Sequence, residues 1–98
     1  MRYGKNRPTF SIFAPLTNRA GVHTRPAAMI VKLAAQFKSD VFLTGDNNLR
    51  INAKSIIGVM TLAAAQGSTL TLTTDGVDEH EALVKIRELF ETGFGEQI

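Results

Sequence analysis

Apolar residues recur at two different periods along this chain, and the order in which those periods alternate limits the fold more than any other feature. Phe10 to Phe13 has the composition of a strand, whose two-residue period puts Phe10 and Ile12 on one face. Ala27, Ile30, Val31, Ala34 and Phe37 then recur at helical spacing over 26–37, with Met29, Lys32 and Leu33 off the stripe. Val41 and Leu43 alternate over 40–44, and alternation returns over 49–52 after the turn formers Gly45-Asp46-Asn47-Asn48, which reads as a hairpin. A short apolar helix follows Ser55, a Thr/Leu strand with Leu70 and Leu72 inward covers 69–74, and Ala82, Leu83, Ile86, Leu89 and Phe90 mark a last helix. The order β-α-β-β-α-β-α predicts an α+β, two-layer, open-faced β-sandwich. Its antiparallel four-stranded sheet is covered on one face by three helices and faces water on the other.

Local signals punctuate this order. Pro26 suits a first helical turn, where the N–H it lacks would have no intrahelical partner. Pro15 cannot donate to a ladder, so the first strand belongs at a sheet edge or ends there. Ser55 is a good N-cap for the second helix, Gly58 weakens that helix by about 1 kcal/mol relative to alanine, and Gln66-Gly67-Ser68 breaks it. Asp78 with Glu81 three residues on predicts a capping box, and Gly93 stops the last helix.

Ninety-eight residues make one domain, here expected over 9–98 behind a loose basic tail at 1–8. The absence of cysteine removes disulfides, thiol nucleophiles and Cys-type zinc sites together. No apolar run approaches the roughly 20 residues that cross a bilayer, and the basic N-terminus has no apolar stretch behind it. The expectation is a cytoplasmic protein without membrane insertion. The net charge of +2 hides an asymmetry: residues 1–74 hold nine Lys/Arg against two Asp/Glu, a net of +7, whereas 75–98 hold two against seven, a net of −5. The basic part can steer toward an acidic partner. Its cations are spread out and not interleaved with aromatics, so nucleic acid is not the expected partner.

Chemistry concentrates in the run Gly21-Val22-His23-Thr24-Arg25-Pro26-Ala27-Ala28. Neutral imidazole is a nucleophile near neutral pH. A helix start offers free N–H groups and a positive dipole end to an anion, and Arg25 adds a guanidinium suited to phosphate. The residues alone leave two readings: His23 caps a helix, or it carries an anion. Ser55 likewise reads as a plain cap or as a site where phosphate would add negative charge beside apolar residues. Ile56, Ile57, Val59, Met60 and Leu62 run nearly all round their helix, so some are core, and the residues alone leave two readings for the rest, further core packing or an exposed docking surface. His80, among acids, reads as a surface residue. Nothing in the pattern calls for a metal or another cofactor.

Three segments together resemble the HPr family, the histidine-containing phosphocarriers of the bacterial phosphoenolpyruvate:sugar phosphotransferase system. Gly21 to Ala28 is similar to its active-site segment, Phe37-Lys38-Ser39-Asp40-Val41 to its passage into the second strand, and Ile51-Asn52-Ala53-Lys54-Ser55-Ile56-Ile57-Gly58-Val59-Met60 to its regulatory-serine segment. Ala65-Gln66-Gly67-Ser68 and Ala82-Leu83 follow at matching places, so the likeness spans about 9–96. The resemblance implies that His23 accepts a phosphoryl group from phospho-enzyme I and passes it to IIA domains of sugar permeases, with Arg25 steadying the phosphate. It implies a carrier rather than an enzyme, and a monomer. Met29, Lys32, Ile56, Ile57 and Met60 match partner-docking positions. Ser55 matches the serine modified by the ATP-dependent HPr kinase/phosphorylase, which would link the chain to a catabolite regulator.

Some stretches depart from the family pattern. Pro15-Leu16-Thr17-Asn18-Arg19-Ala20 is longer than in many members, the turn at 45–48 holds an extra residue, and the basic tail is unusual. The competing reading is a regulatory docking module acting by protein binding, in carbon-catabolite or nitrogen-branch signalling. Relatives of that kind typically lack the active histidine, which this chain keeps. A small enzyme using His23 as a general base lacks an evident second acid/base group.

Overall fold

Val41, Leu43, Leu70 and Leu72 are the residues around which the fold closes, all 2 % exposed or less. They sit in a computed structural model that describes residues 9–12, 24–45, 48–65 and 70–92. The elements are β1 (Thr9–Ile12), α1 (Thr24–Ala34), β2 (Asp40–Gly45), β3 (Arg50–Asn52), α2 (Ile56–Ala65), β4 (Leu70–Asp75) and α3 (Glu79–Glu91). The strands form one antiparallel sheet in the order β1-β4-β2-β3. β1 is an edge strand, the place that Pro15 after it predicts, and it registers Phe10 opposite Leu72 and Ile12 opposite Leu70.

Among the described residues, the helices cover one face of the sheet and leave the other open. Leu70, Leu72 and Thr74 of β4 are buried while Thr71, Thr73 and Asp75 are only half-buried. Ile30 and Ala34 of α1, Val59 and Leu62 of α2, and Ile86 and Phe90 of α3 join the strand residues in a single core. Each fully buried Leu or Ile contributes about 1.5–3 kcal/mol, which makes this layer the main support of a small domain. On the open face the Arg50 guanidinium stacks over the Phe42 ring, 4.0 Å from its centroid. This is the α+β open-faced architecture expected from the periodicity.

Element ends differ from expectation in instructive ways. α1 starts at Thr24 instead of residue 26, because Pro26 in a first turn forfeits no helical hydrogen bond. It ends at Ala34, three residues early, where Gln36 N–H and Phe37 N–H donate to Leu33 O (3.0 Å) and Ala34 O (3.2 Å) and tighten the chain. Phe37 remains core, at 9 % exposed, from beyond the helix end. β2 and β3 form the expected hairpin, closed by Gly45 N–H on Leu49 O (2.8 Å) and Asn48 N–H on Gly45 O (3.0 Å), with Asn48 in the left-handed region at φ 67°. The tail at 1–8, the loop at 13–23, Asp46, Asn47 and the stop at Gly93 lie outside the described residues.

The capping box at the start of α3 is not made. Asp78 occupies the N-cap position, but its side chain makes no cap bond. Its carboxylate instead accepts from Lys38 N–H (3.0 Å), Ser39 N–H (2.9 Å) and the Ser39 hydroxyl (2.5 Å). Asp78 N–H returns a bond to Ser39 Oγ at 3.2 Å. Ser39 is 1 % exposed, so its hydroxyl needs a partner. Asp78 supplies that partner and thereby joins the entry of β2 to the start of α3. Glu79 Oε1 accepts from Gly76 N–H at 2.9 Å across the turn. A Cβ on Gly76 (φ +155°) would lie 2.6 Å from Ser39 Cα, so the approach requires glycine.

Candidate functional site

α1 begins at Thr24, the residue after His23 in the chain. Its first turn has no acidic side chain to oppose an anion at the positive end of the helix dipole. His23 and the Arg25 side chain lie outside the described residues. Further along α1, Met29 is half-buried and Lys32 is exposed in the last turn.

α2 lies beside α1 and carries the second part of the candidate site. Ser55 caps it: its hydroxyl accepts from Gly58 N–H at 3.1 Å and its carbonyl accepts from Val59 N–H at 3.0 Å. Gly58 lets the helix settle on β3, since a Cβ there would stand 3.3 Å from Ile51 Cβ and 3.4 Å from Asn52 O. The apolar run of α2 divides cleanly. Val59 and Leu62 are core, whereas Ile56 is 43 % and Ile57 75 % exposed, with Met60 half-buried between the two sets. Large aliphatic side chains that exposed form an apolar surface next to Ser55 of the kind that partners cover.

A family model described as the PTS HPr component phosphorylation site matches residues 13–92. The chain belongs to the HPr family. The phosphocarrier protein HPr of Treponema pallidum is 52 % identical over 80 residues, covering 82 % of this chain and 90 % of that protein. The crystal structure of HPr-C-His from Thermoanaerobacter tengcongensis superposes with a TM-score of 0.78 at 38 % identity, covering 93 % of this chain and 99 % of the other. Bacillus subtilis Crh, solved as a swapped dimer and described as a catabolite repression protein, has a TM-score of 0.62 at 40 % identity, covering 84 % and 92 %.

In this member of the HPr family, four further observations lie away from the expected chemistry. His80 is exposed in the first turn of α3. Among the described residues no group of three or more His, Cys, Asp or Glu is placed to hold a metal ion, and no helix is long and apolar enough to cross a membrane. Asp78 has its carboxyl lowered from 3.8 to about 2, chiefly by the Ser39 hydroxyl and then by the Lys38 amide, so its perturbation has a structural origin.

Sequence reasoning passed over one contact next to Ser55. The Lys54 ammonium donates to the carbonyl of Phe37 at 2.7 Å. No residue pattern announces such a bond, because its acceptor is a main-chain oxygen 17 residues away.

Proposed function

We propose that this protein carries a phosphoryl group on His23, received from phospho-enzyme I and delivered to IIA domains of sugar permeases. The observation that carries the reading is the start of α1 at Thr24, immediately after His23, in a chain matched by the HPr model over 13–92. In the transfer, the P–N bond on the donor histidine breaks as a P–N bond forms on His23, and the proton lost by the His23 imidazole is balanced by the one the departing donor imidazole takes up. The first-turn N–H groups and dipole of α1 offset the phosphate charge, and the Arg25 guanidinium adds charge-assisted hydrogen bonds. Partner enzymes supply the remaining catalysis, so the protein acts as a covalent carrier in the cytoplasm, as a monomer. Met29, Lys32, Ile56, Ile57 and Met60 form the docking face.

Ser55 is the regulatory site in this reading. A phosphate from ATP, added by an HPr kinase/phosphorylase, would bring about −1.5 to −2 charges to the edge of the Ile56–Ile57 patch. Desolvating that charge opposes docking of enzyme I and leaves the fold intact. Equal rates of phosphoryl transfer from enzyme I to unmodified and Ser55-phosphorylated protein would sink this part.

The likeness to Crh favours a second reading, a docking module of catabolite regulation. Incubation with phosphoenolpyruvate and enzyme I separates the two. The carrier takes up acid-labile phosphate that His23→Ala loses; the docking module takes up none.

A further inference from the structure

Lys54 is a cation that neither the phosphoryl seat nor the docking face uses. It is half-buried, and its ammonium reaches back to the Phe37 carbonyl at 2.7 Å. That carbonyl belongs to the turn closing α1, where Phe37 N–H bonds Ala34 O. The acceptor lies three residues past the end of α1, and a hydrogen bond to it from a charged donor is stronger than one from a neutral donor.

The chain on either side of Lys54 is fixed as well. Asn52 Oδ1 accepts from Lys54 N–H at 2.8 Å, and Asn52 O accepts from Ser55 N–H at 3.0 Å. Ala53 is fully buried with its N–H on Val41 O at 2.8 Å. The next hydroxyl, that of Ser55, caps α2 through Gly58 N–H. The Lys54 side chain is therefore a strap from the turn after α1 to the residue before the cap of α2.

We infer that Lys54 is a positioning residue, whose ammonium on the Phe37 carbonyl sets how the Ser55 hydroxyl and the first turn of α2 are presented beside α1. The inference rests on reading Ser55 as the phosphorylation site. The strap adds rigidity where a kinase must engage an extended piece of surface. A loosened first turn would have to be ordered on binding, which weakens binding more than it slows the chemical step.

Lys54→Met keeps the aliphatic stem and removes the charge and donors, whereas Lys54→Arg keeps both. Amide hydrogen exchange is followed at Gly58 and Val59, with Ile86 of α3 as a remote reference. Phosphorylation of Ser55 by an ATP-dependent HPr kinase is followed in the same variants. In Lys54→Met, exchange at Gly58 and Val59 is expected to accelerate roughly tenfold, the scale of one hydrogen bond to a charged group, with Ile86 unchanged. The KM for the protein substrate rises several-fold at constant kcat, and Lys54→Arg restores both readouts. Unchanged exchange at Gly58 and Val59, an equal acceleration at Ile86, or failure of arginine to restore would overturn the inference. A wild-type protein that takes no phosphate on Ser55 overturns the regulatory reading, and the exchange measurements still decide the strap.

Discussion

Asp78 joins two elements through one carboxylate, and its titration reports on the fold. Three hydrogen bonds from Lys38 and Ser39 hold its carboxyl at about 2 against an ordinary 3.8. The folded value lies below the unfolded one. The contribution to stability is therefore complete above the ordinary value and is lost as the pH falls through the folded value. Melting temperature should drop between about pH 4 and pH 2 more steeply in the wild type than in Asp78→Asn; parallel curves would contradict the assignment. Gly76→Ala should cost about 1–3 kcal/mol in denaturant unfolding, because the new methyl meets the Ser39 backbone and the φ suits glycine. Arg25→Ala belongs to a different kind of residue. Under the proposed function it should slow phosphoryl transfer to His23 while leaving the melting temperature within a degree or two, as expected of a residue assigned to the phosphate. An unchanged transfer rate would remove Arg25 from the site.

At the scale of elements, α2 makes the sharpest division between stability and function. Leu62→Ala should cost about 2–5 kcal/mol of stability, as truncation of a buried leucine does. Ile57→Glu, at a position 75 % exposed, should leave stability within about 0.5 kcal/mol. It should nonetheless raise the KM of enzyme I for this protein about tenfold, by placing a charge in an apolar contact; an unchanged KM would take Ile57 out of the docking face. The same helix shows what was legible beforehand. Ser55 as cap, Gly58 as an oddity and an apolar run larger than one core face needs were all readable, but which side faced inward was not. That depends on where β3 and α1 lie. Phe37 is core, as its spacing predicts, yet lies beyond the helix, because burial follows spacing while helix ends follow local hydrogen bonds. The Asp78–Glu81 box failed for a related reason. A buried serine 39 residues earlier competes for the carboxylate, and such long-range competition leaves no trace in a four-residue window.

The whole molecule sets its charge against its sheet order. The strand order β1-β4-β2-β3 brings the first and last strands together, and this pairing is invisible to periodicity, which gives elements but not neighbours. The segments that resemble the HPr family, from Gly21 to Ala28 and two later ones, point to the family whose model matches residues 13–92. The net +7 of residues 1–74 against the net −5 of 75–98 is a charge separation along the sequence, and a field of this kind steers acidic partners toward the basic part. The central claim concerns one imidazole. Incubated with labelled phosphoenolpyruvate and enzyme I, the protein is expected to take up one acid-labile phosphoryl group per chain, lost in His23→Ala and retained in Ser55→Ala. Absence of label on the wild type, or label that survives His23→Ala, would contradict the account.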